Sequence, residues 1–476
     1  MLRFVTSEKY ASGKLTRREW LRIGGAAGLS LSALLNKSHS ADTGQLTIPG
    51  FGRAKSVILV FASGGQSQLE TWDPKPLAPL DVRGEFKAIS SATPGVALCE
   101  HLPRVARVTD RLSIIRSMSH DDLDHGSAAY LTLTGRFHKQ KSGNPAPSPE
   151  DLPTYGAILK RVRPTDRFAF DAVHVNGPAL VPTTPAPGQN GGLLGREYEP
   201  LVVGDVTDQA IAIPGLTRQA DLPAVRLDQR RTLKEALDAC TSKLGENQKA
   251  LDMNLHYQKA FEMLSSSNNR EAFDLSAEPE TLRDRYGRHR SGQACLLARR
   301  LVEAGVPLIT VIWNHSNRGQ DSSPEVTDQY GWDTHNDIFH ALKDHLMPRF
   351  DESFSTLIED LDERGLLDET LVICMGEFGR APRVALEPNF AGSTPGRKHW
   401  ASVYSIVVAG AGVQRGAVIG ASDRMGASPV TERFGPWDVA ATMYSALGID
   451  PTGHYSDVLG RPMPITVGRP ITELYG

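Results

Sequence analysis

The sequence predicts an α/β protein with a mostly parallel, doubly wound sheet, and three observations predict it. Apolar, β-branched runs of strand length recur along the chain. Segments of helical composition alternate with them, as βαβ crossovers require. Polar clusters follow those runs, where ligands of open α/β sheets bind.

The first run is Ser56–Ala62, which exits through Ser63, Gly64 and Gly65 and reads as a buried parallel strand. Leu112–Met118 is a second strand, leading into the His- and Asp-rich stretch His120 to His125, with helical spacing from Ser127. Residues 139–220 are dense in Pro and Gly, among them Pro145, Pro147, Pro182, Pro187, Gly191 and Gly192, and predict a loop-rich insertion with short strands. Gln229 to Gly305 turns helical and charged and predicts two or three helices. Val306–Trp313 is a further strand, Ile338–Arg364 a long amphipathic helix, Thr370–Met375 and Val403–Ala409 strands, and Pro436–Leu447 the last helix. No internal repeat is present.

With 476 residues, 40% hydrophobic and 22% charged, the chain has the composition of a globular protein. A formal net charge of −3 lacks the basic excess that would neutralise a phosphate backbone, so nucleic acid is not an expected partner. The four cysteines, Cys99, Cys240, Cys295 and Cys374, lie far apart without metal-ribbon spacing and read as buried thiols. At the N-terminus, Thr16-Arg17-Arg18-Glu19-Trp20-Leu21-Arg22 precedes a weakly apolar stretch, Ile23 to Leu35, and small residues near Ala41. That order predicts a twin-arginine signal peptide over 1–41, recognised by the twin-arginine export machinery, and a single domain over 42–476. The expected location is periplasmic or extracellular. No later run reaches the length of a permanent membrane span.

Five polar clusters carry the candidate chemistry: Gly64 to Asp73, His120 to Ser127, Gly331 to His335, Gly376 to Arg380 and Gly396 to Trp400. Imidazole and carboxylate groups gathered at one rim are what a divalent ion of the zinc or manganese type binds.

These residues also carry a resemblance. His125-Gly126-Ser127-Ala128-Ala129 through Thr134-Gly135-Arg136 resembles the nucleophile helix of the alkaline phosphatase and sulfatase superfamily. Counting back from Thr134-Gly135-Arg136 places His125 at the nucleophile position, whereas the Ser-Ala-Ala match places Ser127 there; both stay open. Asp368 to Glu377 is similar to the superfamily strand that ends in an acidic metal ligand, and Asp333, His335 and His399 resemble its remaining ligands. More narrowly, the leader, Gly64 to Pro76, Pro187 to Arg196, Trp332 to His335 and Met375 to Arg380 resemble an exported family called domain of unknown function 1501.

The resemblance implies an alkaline phosphatase-like three-layer fold and a metal-dependent hydrolase of phosphate or sulfate esters, on a small molecule or a polymer. It implies a divalent metal, zinc first, with manganese and calcium as alternatives. The metal residues it implies are Asp333, His335, Glu377, His399 and His120; the catalytic ones are Ser127, His125, Arg136 and Arg380. A helix cap for Ser127 and a structural ion pair for Arg380 are the plain alternatives.

The sequence departs from the superfamily in three places. The first strand ends in Ser63 rather than an aspartate, with Glu70 and Asp73 the next acids, and Phe378 follows Glu377 where histidine or asparagine is usual. No sulfatase-type cysteine precedes the helix, which excludes formylglycine at that position. One metal rather than two is therefore expected, and a non-catalytic binding or scaffold protein with a degraded site, working on surface polymers or with other exported proteins, is the alternative.

Overall fold

Five consecutive apolar side chains, Val57 to Phe61, buried together with Ser56 before them, make strand β1 (Ser56–Phe61) the spine of the molecule. In the computed structural model, which describes residues 48–207, 271–319 and 327–476, β1 lies inside an eight-stranded sheet. Its other strands are β2 (Leu112–Met118), β3 (Ala172–Val175), β4 (Leu201–Val203), β5 (Leu308–Ile312), β6 (Thr370–Met375), β7 (Tyr404–Ala409) and β8 (Ala417–Ile419). The spatial order is β8-β2-β7-β6-β1-β5-β3-β4. All neighbours pair in parallel except β7, which runs antiparallel to both β2 and β6.

Alternation along β1 divides the core in two. Ile58 and Val60 face one cluster, with α3 (Arg290–Ala304) and α4 (Met347–Glu363); Val57, Leu59 and Phe61 face the other, with α1 (His125–Thr134), α2 (Tyr155–Val162) and α5 (Pro436–Ala446). Helices thus cover both faces of a mostly parallel sheet, the three-layer α/β arrangement expected from the alternating runs.

Two details differ from the sequence reading. The Pro/Gly-rich stretch supplies α2 and, with Ala172–Val175 and Leu201–Val203, two strands of the main sheet. Those runs are short because punctuating prolines and glycines surround them, yet four buried residues in β3 suffice to extend the sheet past β5. The long helix is also not uniform: one turn at Ile338–His340 passes through a π-helical segment, Ala341–Leu346, before α4 begins with Pro348 in its first turn. A proline there lacks only an N–H that the first turn leaves unpaired anyway.

Of the helices expected between 229 and 305, Glu280–Tyr286 and α3 fall in the described region. The rest of that stretch, Cys240 and the segment 1–41 expected to be a signal peptide lie outside the described residues. Cys99, Cys295 and Cys374 are free and buried. Among the described residues, no helix is long and apolar enough to cross a membrane.

Candidate metal centre

Parallel strands deliver their exits to one edge, and the loops after β1, β5 and β6 meet there. The loop after β1 approaches Asp333 so closely that a side chain at Gly64 is impossible: a Cβ would lie 2.4 Å from the Asp333 nitrogen, and Gly64 has φ +113°. Backbone bonds fix the contact, Trp332 N–H donating to the Ser63 carbonyl (3.1 Å) and Asp333 N–H to that of Asn317 (2.9 Å). After β6, Gly379–Arg380 forms a short antiparallel ladder with His399–Trp400, setting Arg380 beside His399.

Three imidazoles converge on one carboxylate oxygen. Asp333 Oδ1 lies 3.1 Å from His125 Nε2, 3.2 Å from His335 Nε2 and 3.3 Å from His399 Nε2. His335 and His399 bring their Nε2 atoms to 2.9 Å of each other. His125, Asp333 and His399 each offer a ligand atom within 4.8 Å of the other two. Around an ion with bonds of about 2.0–2.1 Å, tetrahedral ligand atoms sit about 3.3 Å apart, so the spacing suits an ion of that size.

The far sides of the rings decide their tautomers. His399 Nδ1–H donates to the Leu123 carbonyl (2.5 Å) and His125 Nδ1–H to Glu377 Oε1 (2.5 Å). Both rings therefore turn Nε2 toward Asp333, and a neutral ring would present a lone pair to an anionic oxygen. Such an arrangement repels unless a cation intervenes. His125 Nε2 is buried and makes no hydrogen bond of acceptable geometry, despite its 3.1 Å approach to Asp333.

The electrostatics agree. Burial acts to lower the His125 imidazole, but the Asp333 and Glu377 carboxylates outweigh it and hold it up at about 9. Burial would raise Asp333, yet His125 and Arg380 keep its carboxyl well below the usual range. Burial, reinforced by the charge on His125, pushes His399 down to about 3, and burial also lowers His335. With the site free of metal, the proton therefore resides on His125.

Glu377 stands behind His125, fully buried, and both its oxygens accept from Gly64 N–H (2.8 and 3.1 Å). His120 is one layer further back: its Nε2–H donates to the Glu377 carbonyl (2.6 Å) and its Nδ1 accepts from Asp122 N–H (3.1 Å). Arg380 joins the centre through Asp333 Oδ1 (2.7 Å).

Ser127 and Arg136 do not reach it. Two residues along an α-helix lie about 200° apart, so α1 turns Ser127 away when His125 faces Asp333. The Ser127 hydroxyl donates to Asp122 Oδ1 (2.7 Å) and accepts from Gly143 N–H (3.1 Å). Arg136 lies beyond the other end of α1, donating to the Pro464 carbonyl (3.0 Å). The two acids nearest the first strand are also occupied elsewhere. Glu70 pairs with Arg397 (2.5 Å), while Asp73 pairs with Lys75 (2.9 Å) and accepts from Ser422 Oγ (2.5 Å).

Arg397 is the residue that sequence reasoning missed. Wholly buried, it bonds Glu70 through Nε and Nη2 and also donates to the carbonyls of Val82 (2.7 Å), Ala381 (3.1 Å) and Pro382. The signal available was an unassigned acid after the first strand together with an arginine two residues before His399.

The model of the family described as "Protein of unknown function (DUF1501)" matches residues 54–475. No curated protein matches the chain. Among solved structures it is similar to a phosphonate monoester hydrolase from Silicibacter pomeroyi, with 10% identity, 88% of this chain and 76% of that one covered, and a TM-score of 0.42. A protein in the alkaline phosphatase superfamily from Vibrio parahaemolyticus gives 11% identity, coverages of 97% and 79%, and a TM-score of 0.39. A sulfatase from Pseudoalteromonas sp. gives 13%, 91% and 72%, and 0.35.

Proposed function

The chain belongs to the DUF1501 family, and we propose that it is an exported, one-metal hydrolase of phosphate or sulfate esters. The observation that carries the reading is the convergence of three Nε2 atoms on Asp333 Oδ1, two of them on rings whose Nδ1 is tied behind. Export rests on Thr16 to Arg22 and the segment that follows it.

His125, Asp333 and His399 hold the ion, zinc first by their nitrogen-rich donor set, with manganese and calcium as alternatives. When bound, such an ion polarises an ester oxygen and acidifies water. The chain does the rest. Glu377 holds His125 in the tautomer that faces inward, as the Leu123 carbonyl does for His399. His335, with Nε2 2.9 Å from that of His399 and 3.2 Å from Asp333 Oδ1, is placed to exchange a proton at that atom. Phe390, stacked on its ring at 3.7 Å, keeps one face of it dry.

A second reading has one observation in its favour. His125 and Arg380 as cations balance Asp333 and Glu377 as anions without any metal, as a binding or scaffold protein with a retired site would allow.

Metal analysis of protein purified from the periplasm, paired with assays on aryl phosphates and aryl sulfates, separates the two. One equivalent of metal, lost in Asp333→Ala and His399→Ala but kept in an inactive His335→Ala, is the expected result. A metal-free, inert protein would leave only the scaffold reading.

A further inference from the structure

Arg380 is an unusual group to find beside a cation-binding cluster. Its side chain is wholly buried, and each of its nitrogens is committed to oxygen. Nε donates to the Gly65 carbonyl (3.1 Å), Nη1 to the Arg397 carbonyl (3.1 Å), and Nη2 to the Gly64 carbonyl and to Asp333 Oδ1 (2.7 Å). Three carbonyls and a carboxylate form the all-oxygen donor set that hard divalent ions such as calcium, magnesium and manganese take. Here a guanidinium fills it.

The position is built rather than incidental. Gln68 clamps the Arg380 backbone from both sides, its Oε1 accepting from Arg380 N–H (3.0 Å) and its Nε2 donating to the Arg380 carbonyl (2.9 Å). Gly65, at φ +76°, leaves no room for a side chain, since a Cβ would lie 2.6 Å from the Phe378 ring. The Arg397 carbonyl is fixed because the Arg397 side chain is locked to Glu70. Asp333 Oδ1 faces the imidazoles and Arg380 at once, as a carboxylate shared by two cations does.

We infer that Arg380 is the resident second cation of this centre: it fills an oxygen-lined position next to the imidazole cluster, limits the centre to one exchangeable metal ion, and orients Asp333 toward that ion. The inference rests on the one-metal reading above and adds why the number is one. Arg380 acts through Asp333 and is a positioning residue. Wholly buried and giving four of its five N–H donors to protein oxygens, it is held by the protein, and this positioning role replaces the charge-stabilising role the sequence suggested for it.

The test is manganese loading of the full chain, followed by desalting, metal analysis per chain, and electron paramagnetic resonance, with circular dichroism to establish folding. The parent and Arg380→Lys, which keeps one positive charge there, should each retain one equivalent with an uncoupled spectrum. Arg380→Ala, which strips four oxygens of their donor, should retain two and show spin coupling between neighbouring ions. Two equivalents in the parent or in Arg380→Lys would overturn the inference while leaving a metal centre in place. So would a folded Arg380→Ala with one equivalent and the parent spectrum. No manganese and no zinc in the parent would instead remove the metal-centre reading, and the inference with it. Should Arg380→Ala not fold, the comparison of the parent with Arg380→Lys decides.

Discussion

Truncating Arg397 removes one half of a fully buried ion pair and should be felt throughout the centre. In Arg397→Ala, Glu70 would remain buried with only the Ser67 hydroxyl (2.5 Å) as a side-chain donor, and the carbonyls of Val82, Ala381 and Pro382 would each lose a partner. Breaking such a pair by removing one member costs about 3–5 kcal/mol, because the surviving charge has no compensation. For a unit of about 430 residues, Ile48–Gly476, an unfolding entropy of about 2.1 cal/mol/K per residue gives roughly 0.9 kcal/mol/K, so the melting temperature should fall by about 3–6 °C. Calorimetry measures that shift directly. The double variant Glu70→Met/Arg397→Met removes both charges and should recover most of the loss, since neither then has to be desolvated. His399 lies two residues beyond Arg397, so the single variant should also bind zinc more weakly than the double. The argument fails if Arg397→Ala melts within 1 °C of the parent, or if the double variant loses as much as Arg397→Ala does.

Three further outcomes are expected. Glu377→Gln weakens the hold on His125 and should lower metal affinity by about 10–100-fold, read by competition with a chromophoric chelator; unchanged affinity would deny Glu377 that role. Ser127→Ala should keep its metal and any turnover, but lose about 1–3 kcal/mol in urea unfolding, because Asp122 and Gly143 N–H lose their shared partner; loss of turnover with stability intact would restore Ser127 as the nucleophile. His174, buried in β3 with neither ring nitrogen hydrogen-bonded, is pushed down by burial to about 4. The unfolded chain takes a proton near pH 6.5 that the fold refuses, so this residue's contribution is full above that pH and shrinks as the pH falls towards 4. The loss should be about 2 kcal/mol between pH 7 and pH 5, and a His174→Leu variant should show less of that slope; an identical slope would place the acid sensitivity elsewhere.

Much of the molecule follows from the sequence by itself. The runs at Val57–Phe61 and Thr370–Met375 are strands because uninterrupted β-branched and apolar side chains can be satisfied only in a sheet covered on both faces, and Leu112–Met118, though broken by Ser113, Arg116 and Ser117, keeps enough of that character to join them. Parallel strands then send their exits to a common edge, which is why Asp333, His335, Glu377 and His399 are legible as neighbours in the sequence alone. Tertiary structure decided which atom of each meets which. Helical phase chose His125 over Ser127 as the residue facing Asp333, a matter of about 200° that no spacing rule resolves when both residues fit a motif. The direction of each ring and carboxylate was equally hidden: Glu377 turns to the back of His125, and Arg380 fills the oxygen-lined position beside Asp333. Those orientations come from hydrogen bonds to backbone groups up to some three hundred residues away, such as Gly64 and Leu123. Local sequence fixes what a segment becomes and at which end of the sheet its polar residues emerge, whereas only the packed whole fixes where a buried side chain finds its partner.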